Sequence, residues 1–329
     1  VLSTALFDKP PFLNCICHGV ILDDKSQKLS KRLKNYTSPI EMFKKYGADS
    51  MRWFMASSSV MRGNELNIDK EGKLIAETVR VSLLPIWNSL HFFILYANID
   101  NYNASEINKP KNTLDKYILS KLANLIADVK ECYDVYDTVS ICEKINGFVE
   151  ILNNWYIRRN RDRFWTSGLN EDKKDAFDVL YTVILNLTKI SAPLLPHLSE
   201  YIYQILIKDQ SKSVHLQLYP NHKEFSIDQA LVEEMDLVQE ICSAGHSLRN
   251  TKKIRIRQPL ASLTLYSQIS EIIKKYTSII EDELNIKKVN FKNKLPNDSI
   301  FALVLNFKLL GKRFGSKVPK LLKAAKEGD

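Results

Sequence analysis

The sequence predicts a mainly α protein: a helical bundle, preceded by a strand–loop–helix unit and followed by a small α/β appendage. Three observations predict it. Between residues 113 and 208, four long stretches repeat apolar residues at three- and four-residue spacing, with short joints between them. Two-residue alternation, the mark of strands, is confined to residues 12–24, a crossing at 213–220 and the region after 260. Finally, Ala192-Pro193 and Leu195-Pro196 stop one helical pattern and start the next, which suits an antiparallel bundle.

Taken in order, FLNCICHGVILDD (12–24) alternates and is β-branched, so it predicts one strand, with Cys15 and Cys17 packed on one face. A basic run, DKSQKLSKRLKN (24–35), follows. TSPIEMFKKYGADSMRWFMASS (37–58) then opens with Ser38 at an N-cap, Pro39 at the first helical position and Glu41 in the first turn, predicting a helix. A long helix over 69–98 is expected to kink at Pro85. NYNASEINKPKN (101–112) has the composition of a linker. The bundle helices are predicted at 113–133, 137–166, 172–191 and 196–208. SVHLQLYP (213–220) predicts a short strand-like crossing, and another long helix covers 228–250. ASLTLYS, VNFKN and FALVLNF (301–307) predict strands, with helices at 268–281 and 312–326. Three domains follow: 1–68, 69–225 and 226–329.

Composition narrows the partners. The 47 basic against 38 acidic residues give a net charge of +9, which favours association with a polyanion but does not speak to the fold. Five scattered cysteines without a CxxC pair imply buried free thiols in a reducing compartment, hence a cytoplasmic protein, and no metal site. No apolar run reaches the roughly 18 residues of a membrane span, and the N-terminus lacks the basic-then-apolar order of a signal peptide. The chain begins at Val1, and an excised segment is the expectation.

The basic loop admits two readings. A phosphate-handling loop needs cations on a tether, hydroxyl or N–H donors and a rigid anchor, and Lys28, Ser30, Lys31 and Arg32 supply these between a strand and a capped helix. Charge alone equally describes a solvated turn. The run HGVILDD–SQKLSKRLKN–SPIEMFKKYGADSMRWFM resembles the signature-loop region of class I aminoacyl-tRNA synthetases, usually written KMSKS. Here it stands as Lys28-Leu29-Ser30-Lys31-Arg32, and KYGADSMRWFM is similar to the helix that follows it in the subgroup for large aliphatic amino acids. The resemblance implies that Lys28 and Lys31 hold the phosphates of ATP, supplied with Mg2+ as substrate, and stabilise the departing pyrophosphate. Ser30 matches the central serine. Leu29 replaces the usual Met and keeps an apolar anchor; Arg32 replaces the final Ser and keeps polarity. Such a loop contributes electrostatic stabilisation rather than acid–base or nucleophilic work. His18 and Gly19, the HG pair ahead of the loop, are implied to approach the nucleotide.

A second constellation is NNWYIRRNRDRFW (153–165). On a helix, Ile145, Phe148, Leu152 and Trp155 form an apolar stripe that Arg159 and Arg163 continue. Those arginines either pair with a carboxylate on a neighbouring helix, such as Glu200, or face RNA backbone and unstacked bases. LRNTKKIRIRQPL (248–260) concentrates Arg249, Lys252, Lys253, Arg255 and Arg257, and alternation puts Arg255 and Arg257 on one face of an extended stretch. That face is either an RNA contact or a charge-guarded edge strand. NWYIRRNRDRFW, ISAPLLPHLSEYIYQIL, SVHLQLYP and GHSLRNTKKIRIRQPL together resemble the anticodon-binding region of the isoleucyl-tRNA synthetases. The resemblance implies tRNA(Ile) as partner, with Arg158, Arg159, Arg161, Arg163, Arg255 and Arg257 contacting it, and a monomer. Valyl and leucyl relatives, or a non-catalytic RNA-binding module, remain open at this point.

An HIGH-type motif and an editing domain have no match, and the glycines are too isolated for any phosphate-binding GxGxxG or P-loop. The missing zinc cysteines fit the branch without a C-terminal metal site. The resemblance therefore implies a C-terminal portion that cannot activate isoleucine alone, with a signature loop left mobile by the absence of its partners.

Overall fold

A short helix, α1 (Leu2–Phe7), opens the chain, and the alternating run after it forms far less strand than its pattern predicts. In the computed structural model, which describes residues 1–266 and 270–292, only β1 (Ile21–Leu22) is paired, parallel to β2 (Leu66–Asn67), with Ile21 opposite Leu66. Residues 13–18 lie exposed, and Cys15 and Cys17 are exposed rather than packed. Alternation encodes a two-faced strand, but a strand persists only where a neighbour pairs its backbone, and β2 offers two residues.

The expected single helix after the loop is two: α2 (Pro39–Tyr46) and α3 (Ala48–Ala56), separated by Gly47 at φ 84°. Pro39 starts α2 as predicted, while Ser38 serves through its carbonyl, which accepts from Glu41 and Met42, and not through its hydroxyl. Met42, Phe54 and Ile75 form a small core with Met51, Met55, Leu66 and Ile68 around it. Polar links tie this unit to the bundle, among them Asp49 Oδ2 accepting from the Leu198 N–H at 2.7 Å and Thr138 Oγ1 donating to the Ala56 carbonyl at 2.9 Å.

The helix over Lys73–Ile99 comprises α4 (Lys73–Thr78), a π-turn (Val79–Leu83) and α5 (Leu84–Ile99). The break predicted at Pro85 takes the form of that π-turn. Pro85 has no N–H for the regular helical bond, and the Leu84 N–H instead reaches the Val79 carbonyl, one residue wider than the α-helical spacing. By length and composition this helix is apolar enough to cross a membrane, unlike the sequence expectation; Ile86, Leu90, Phe93 and Ala97 pack into the bundle core.

The bundle itself follows its predicted order: α6 (Thr113–Asp134), α7 (Thr138–Ile151), a π-turn (Leu152–Ile157), α8 (Arg158–Trp165), α9 (Glu171–Ser191) and α10 (Pro196–Ile207). Side-chain caps start three of these helices: Asn112 accepts from Leu114, Asp137 from Ser140 and Asn170 from Lys173. Of the stripe Ile145, Phe148, Leu152 and Trp155, all four are buried, and the first three share the bundle core with residues such as Leu90, Leu122 and Leu180. Each such side chain contributes about 1.5–3 kcal/mol by leaving water. The predicted crossing SVHLQLYP is not a strand. It is a 3₁₀ turn, Val214–Leu216, capped by Ser213, with Leu216 and Leu218 exposed and the Tyr219 hydroxyl donating to the Ile126 carbonyl at 2.9 Å.

Two compact units emerge, Val1–Glu233 and Glu234–Asp329, so the expected segments 1–68 and 69–225 share the first. The change of unit falls inside α11 (Gln229–Thr251). In the second unit β3 (Leu263–Tyr266) pairs parallel with β4 (Val289–Lys292), Leu263 opposite Val289. The helix expected at 268–281 is split into α12 (Ser270–Lys274) and α13 (Thr277–Leu284). The strand expected at 301–307 and the helix at 312–326 lie outside the described residues.

Candidate nucleotide loop and nucleic-acid interface

The loop between β1 and α2 is built on one buried pair. Asp23 (3% exposed) accepts on Oδ1 from the N–H groups of Lys25 at 2.9 Å and Gln27 at 2.8 Å, and on Oδ2 from Asn35 Nδ2 at 2.8 Å. Asn35 in turn accepts the Ser30 N–H on Oδ1 at 2.9 Å and donates to the Lys28 carbonyl at 3.2 Å. The Gln27 N–H bond is the largest influence holding the Asp23 carboxyl below the usual carboxylate range. Lys28 forms an antiparallel bridge with Leu22, and the Lys34 N–H closes a turn onto the Ser30 carbonyl at 3.0 Å. Leu29 turns inward and lines a cavity of about 180 Å³ with Ile21, Met42, Met51, Met55 and Ile75. Lys28, Lys31 and Arg32 lie exposed. The loop expected to be mobile along its length therefore has a tied neck and an apolar root, with its cations on the surface.

His18 and Gly19 lead into β1 from the other side. His18 is exposed, with Nδ1 2.8 Å from the Gly19 carbonyl oxygen, and the Gly19 N–H donates to Val60 at 2.7 Å. A Cβ at position 19 would stand 1.7 Å from the Asn64 carbonyl oxygen, so only glycine lets these backbones approach. His18, Gly19, Lys28, Ser30 and Lys31 thus share one strand–loop unit.

The arginines of α8 divide into two kinds, which their spacing does not reveal. Arg158 and Arg161 are exposed; Arg158 Nε donates to the Asn154 carbonyl at 2.7 Å. Arg159 lies over the Trp155 ring, 5.4 Å from its centroid. Arg163, expected to contact tRNA, is instead turned inward. Its nitrogens bond Asp115 at 2.8 and 2.9 Å, Asp172 at 2.8 and 2.9 Å, and Asn160 at 3.0 Å, while Tyr156 donates to the same Asp115 at 2.7 Å. Burial opposes its charge, but the Asp115 and Asp172 carboxylates outweigh that and raise the Arg163 pKa. The carboxylate suggested as partner, Glu200, is occupied elsewhere: it accepts from Ser213 Oγ at 3.0 Å and the Val214 N–H at 2.9 Å.

In the second unit, Arg255 and Arg257 are exposed but lie in a turn, not on the extended stretch their alternation predicts. The turn is made by Arg249, which is buried and donates to the carbonyls of Arg255, Gln258, Leu284 and Asn285 at 2.7–3.1 Å. Asn285 Nδ2 adds a bond to the Ile256 carbonyl at 2.9 Å. One of the five clustered cations is therefore scaffold. Among the described residues no group of three His, Cys, Asp or Glu is arranged to hold a metal. The residues that sequence reasoning missed are Asp23, Asn35 and Asp115. The first two were legible only as polar residues bracketing the basic run.

A loop of cations rooted between a short parallel strand and a helix, joined to a helical bundle, defines a class that comparison with known proteins identifies. The family described as tRNA synthetases class I (I, L, M and V) matches residues 1–69, and the anticodon-binding domain of tRNA ligase matches residues 115–265. Together the two matches support a fragment of a class I tRNA synthetase. Within that class it is similar to the isoleucine–tRNA ligases of Rickettsia prowazekii (44% identical over 354 residues) and Wolbachia pipientis wMel (43% over 357 residues). Those alignments cover all of this chain but 33% and 32% of the relatives, so the chain spans about a third of the length of the curated relatives it matches. A solved structure, Mycobacterium tuberculosis methionyl-tRNA synthetase in complex with methionyl-adenylate, is 16% identical with a TM-score of 0.50, covering 60% of this chain and 39% of that one, a likeness of fold alone.

Proposed function

We propose that the chain is the part of an isoleucine–tRNA ligase that closes on ATP and grips tRNA(Ile). The observation that carries this reading is Lys28-Leu29-Ser30-Lys31 on a loop whose neck is tied by Asp23 and Asn35 while its ammonium groups stay exposed. In the reaction, a carboxylate oxygen of isoleucine bonds to the α-phosphorus of ATP and the bond from that phosphorus to the bridging oxygen breaks. Pyrophosphate leaves with the electron pair. ATP enters as the magnesium complex that is the substrate of the whole enzyme. Lys28 and Lys31 stabilise the charge that grows on the leaving group, and Ser30 adds a hydroxyl donor. Charge placed where it develops, in a site made in advance, is the contribution such a loop makes. His18 and Gly19 border the nucleotide from the preceding segment. Arg158, Arg159, Arg161, Arg255 and Arg257 approach the tRNA backbone, where cations fix position and not sequence. The same reading has the enzyme act as a monomer in the cytoplasm; the buried thiol of Cys142 suits a reducing compartment.

The test is exchange of labelled pyrophosphate into ATP by the full-length protein that carries this chain. Isoleucine-dependent exchange, absent from the isolated chain, is the expected result. Exchange driven by valine or leucine in preference to isoleucine overturns the reading, as does exchange by the isolated chain.

A further inference from the structure

We propose that Asp23 and Asn35 form the positioning pair of the signature loop, setting where the Lys28 and Lys31 ammonium groups meet the triphosphate. The inference rests on the functional reading above and adds two residues to it. Three features single the pair out.

The first is where its hydrogen bonds go. The Asp23 carboxylate takes the N–H groups of Lys25 and Gln27, on the outgoing limb of the loop. The Asn35 amide takes the Ser30 N–H and gives to the Lys28 carbonyl. The backbone on both sides of Leu29 is thereby held to one side chain, and Lys31 follows directly. The Asp23–Asn35 bond at 2.8 Å joins the two limbs across the neck.

The second feature is charge. Asp23 is buried beside five cationic residues, yet among the described residues it takes its hydrogen bonds from amide N–H donors and none from a lysine or arginine head. A carboxylate that needed a countercharge would draw one of those heads down and remove it from the phosphates. Amide donors satisfy Asp23 and leave the ammonium groups on the surface.

The third is conformation. Ser26 (φ 58°) and Lys34 (φ 49°) adopt the left-handed region on either side of the neck, which non-glycine residues hold only when their surroundings over-determine it. The surroundings here are the pair, helped by Asn67 Nδ2 donating to Ser26 Oγ at 2.9 Å. A loop so constrained presents its cations from one place. A displacement of about 1 Å at a group that stabilises a transition state can cost about a hundredfold in rate.

The test uses the full-length protein, reading kcat and KM for isoleucine in pyrophosphate exchange. Asn35→Asp sets two carboxylates against each other, and Asp23→Asn sets two amides against each other. Each is expected to lower kcat by about 10- to 100-fold, the range for residues that orient functional groups, with the isoleucine KM within about twofold. The double variant Asp23→Asn with Asn35→Asp restores a donor facing an acceptor across the neck, and should recover at least about tenfold over Asn35→Asp alone. Melting temperature and tRNA affinity, read on the same samples, are expected to stay near wild type. If kcat is unchanged in both single variants, or if the isoleucine KM rises in step with the fall in kcat, the pair is not a positioning device. A double variant no better than its parents, or single variants that do not fold while the double also fails, overturns it too. Wild-type protein without isoleucine-dependent exchange overturns the functional reading and this pair with it; active wild type with insensitive variants overturns the pair alone.

Discussion

Arg163 lays its two terminal nitrogens on the two oxygens of Asp115, Nη1 to Oδ1 at 2.8 Å and Nη2 to Oδ2 at 2.9 Å, with the carboxylate fully buried. The fork-on-fork geometry is the arrangement for which guanidinium is suited and ammonium is not. It joins the end of α8 to the start of α6, and Asp172 extends it to α9.

Arg163→Ala leaves Asp115 buried without its countercharge, and is expected to destabilise the first unit by about 3–5 kcal/mol. Arg163→Lys should recover only part of this, because a point charge cannot serve both oxygens. Urea denaturation of the three proteins checks the order. A full-strength tRNA complex with folded Arg163→Lys would accompany it, since this side chain is scaffold.

Exposed arginines should behave differently. Alanine at Arg158, Arg161, Arg255 or Arg257 is expected to weaken binding to every tRNA tested, and to reduce the slope of log K against log salt by about 0.7–1 for each phosphate no longer neutralised. Filter binding over a salt series gives the slope. An unchanged slope for all four would remove them from the interface.

Arg249 is buried and bonded to four carbonyls. Hydrogen bonds to a charged group contribute about 1.5–3 kcal/mol, so Arg249→Ala should cost the second unit about 3 kcal/mol or more. Hydrogen exchange locates the damage: the amides of Gln258 and Leu260, which close onto Arg255 and Asn285, should lose protection first.

Alkali gives a separate test. Burial, then the charge of Asp178, pushes the Tyr102 phenol up to about 12, and its hydroxyl lies 3.1 and 3.2 Å from the Asp178 oxygens. The unfolded phenol titrates near 10, so the fold favours the protonated form. Its contribution is complete below about pH 10 and is lost as pH rises from there towards 12. Tyr102→Phe should flatten the fall of melting temperature over that window. A parallel fall in both proteins would rule Tyr102 out as its source.

The bundle was legible because each helix carries its own signal. The Ile145–Trp155 stripe runs at helical spacing, and Pro193 and Pro196 mark a joint; the caps Asn112, Asp137 and Asn170 were added by the structure. The strands were not. FLNCICHGVILDD and SVHLQLYP alternate as strands do, yet the first pairs at two residues and the second turns, because pairing is decided by a neighbour distant in sequence. Gly47 likewise divides a helix whose apolar spacing runs through it.

By itself the sequence determined the class of protein and the order of its helices, and it marked a candidate signature loop, since periodicity and a short motif are written locally. Only the tertiary structure decided which cations remain available. Arg163 and Arg249 share their runs with Arg161 and Arg255, and spacing cannot tell them apart. What separates them is a carboxylate on α6 for one, and backbone carbonyls of two turns for the other. The same holds for the loop: its lysines can be read in order, but the Asp23–Asn35 bond that holds their backbone exists only when the chain has folded back on itself.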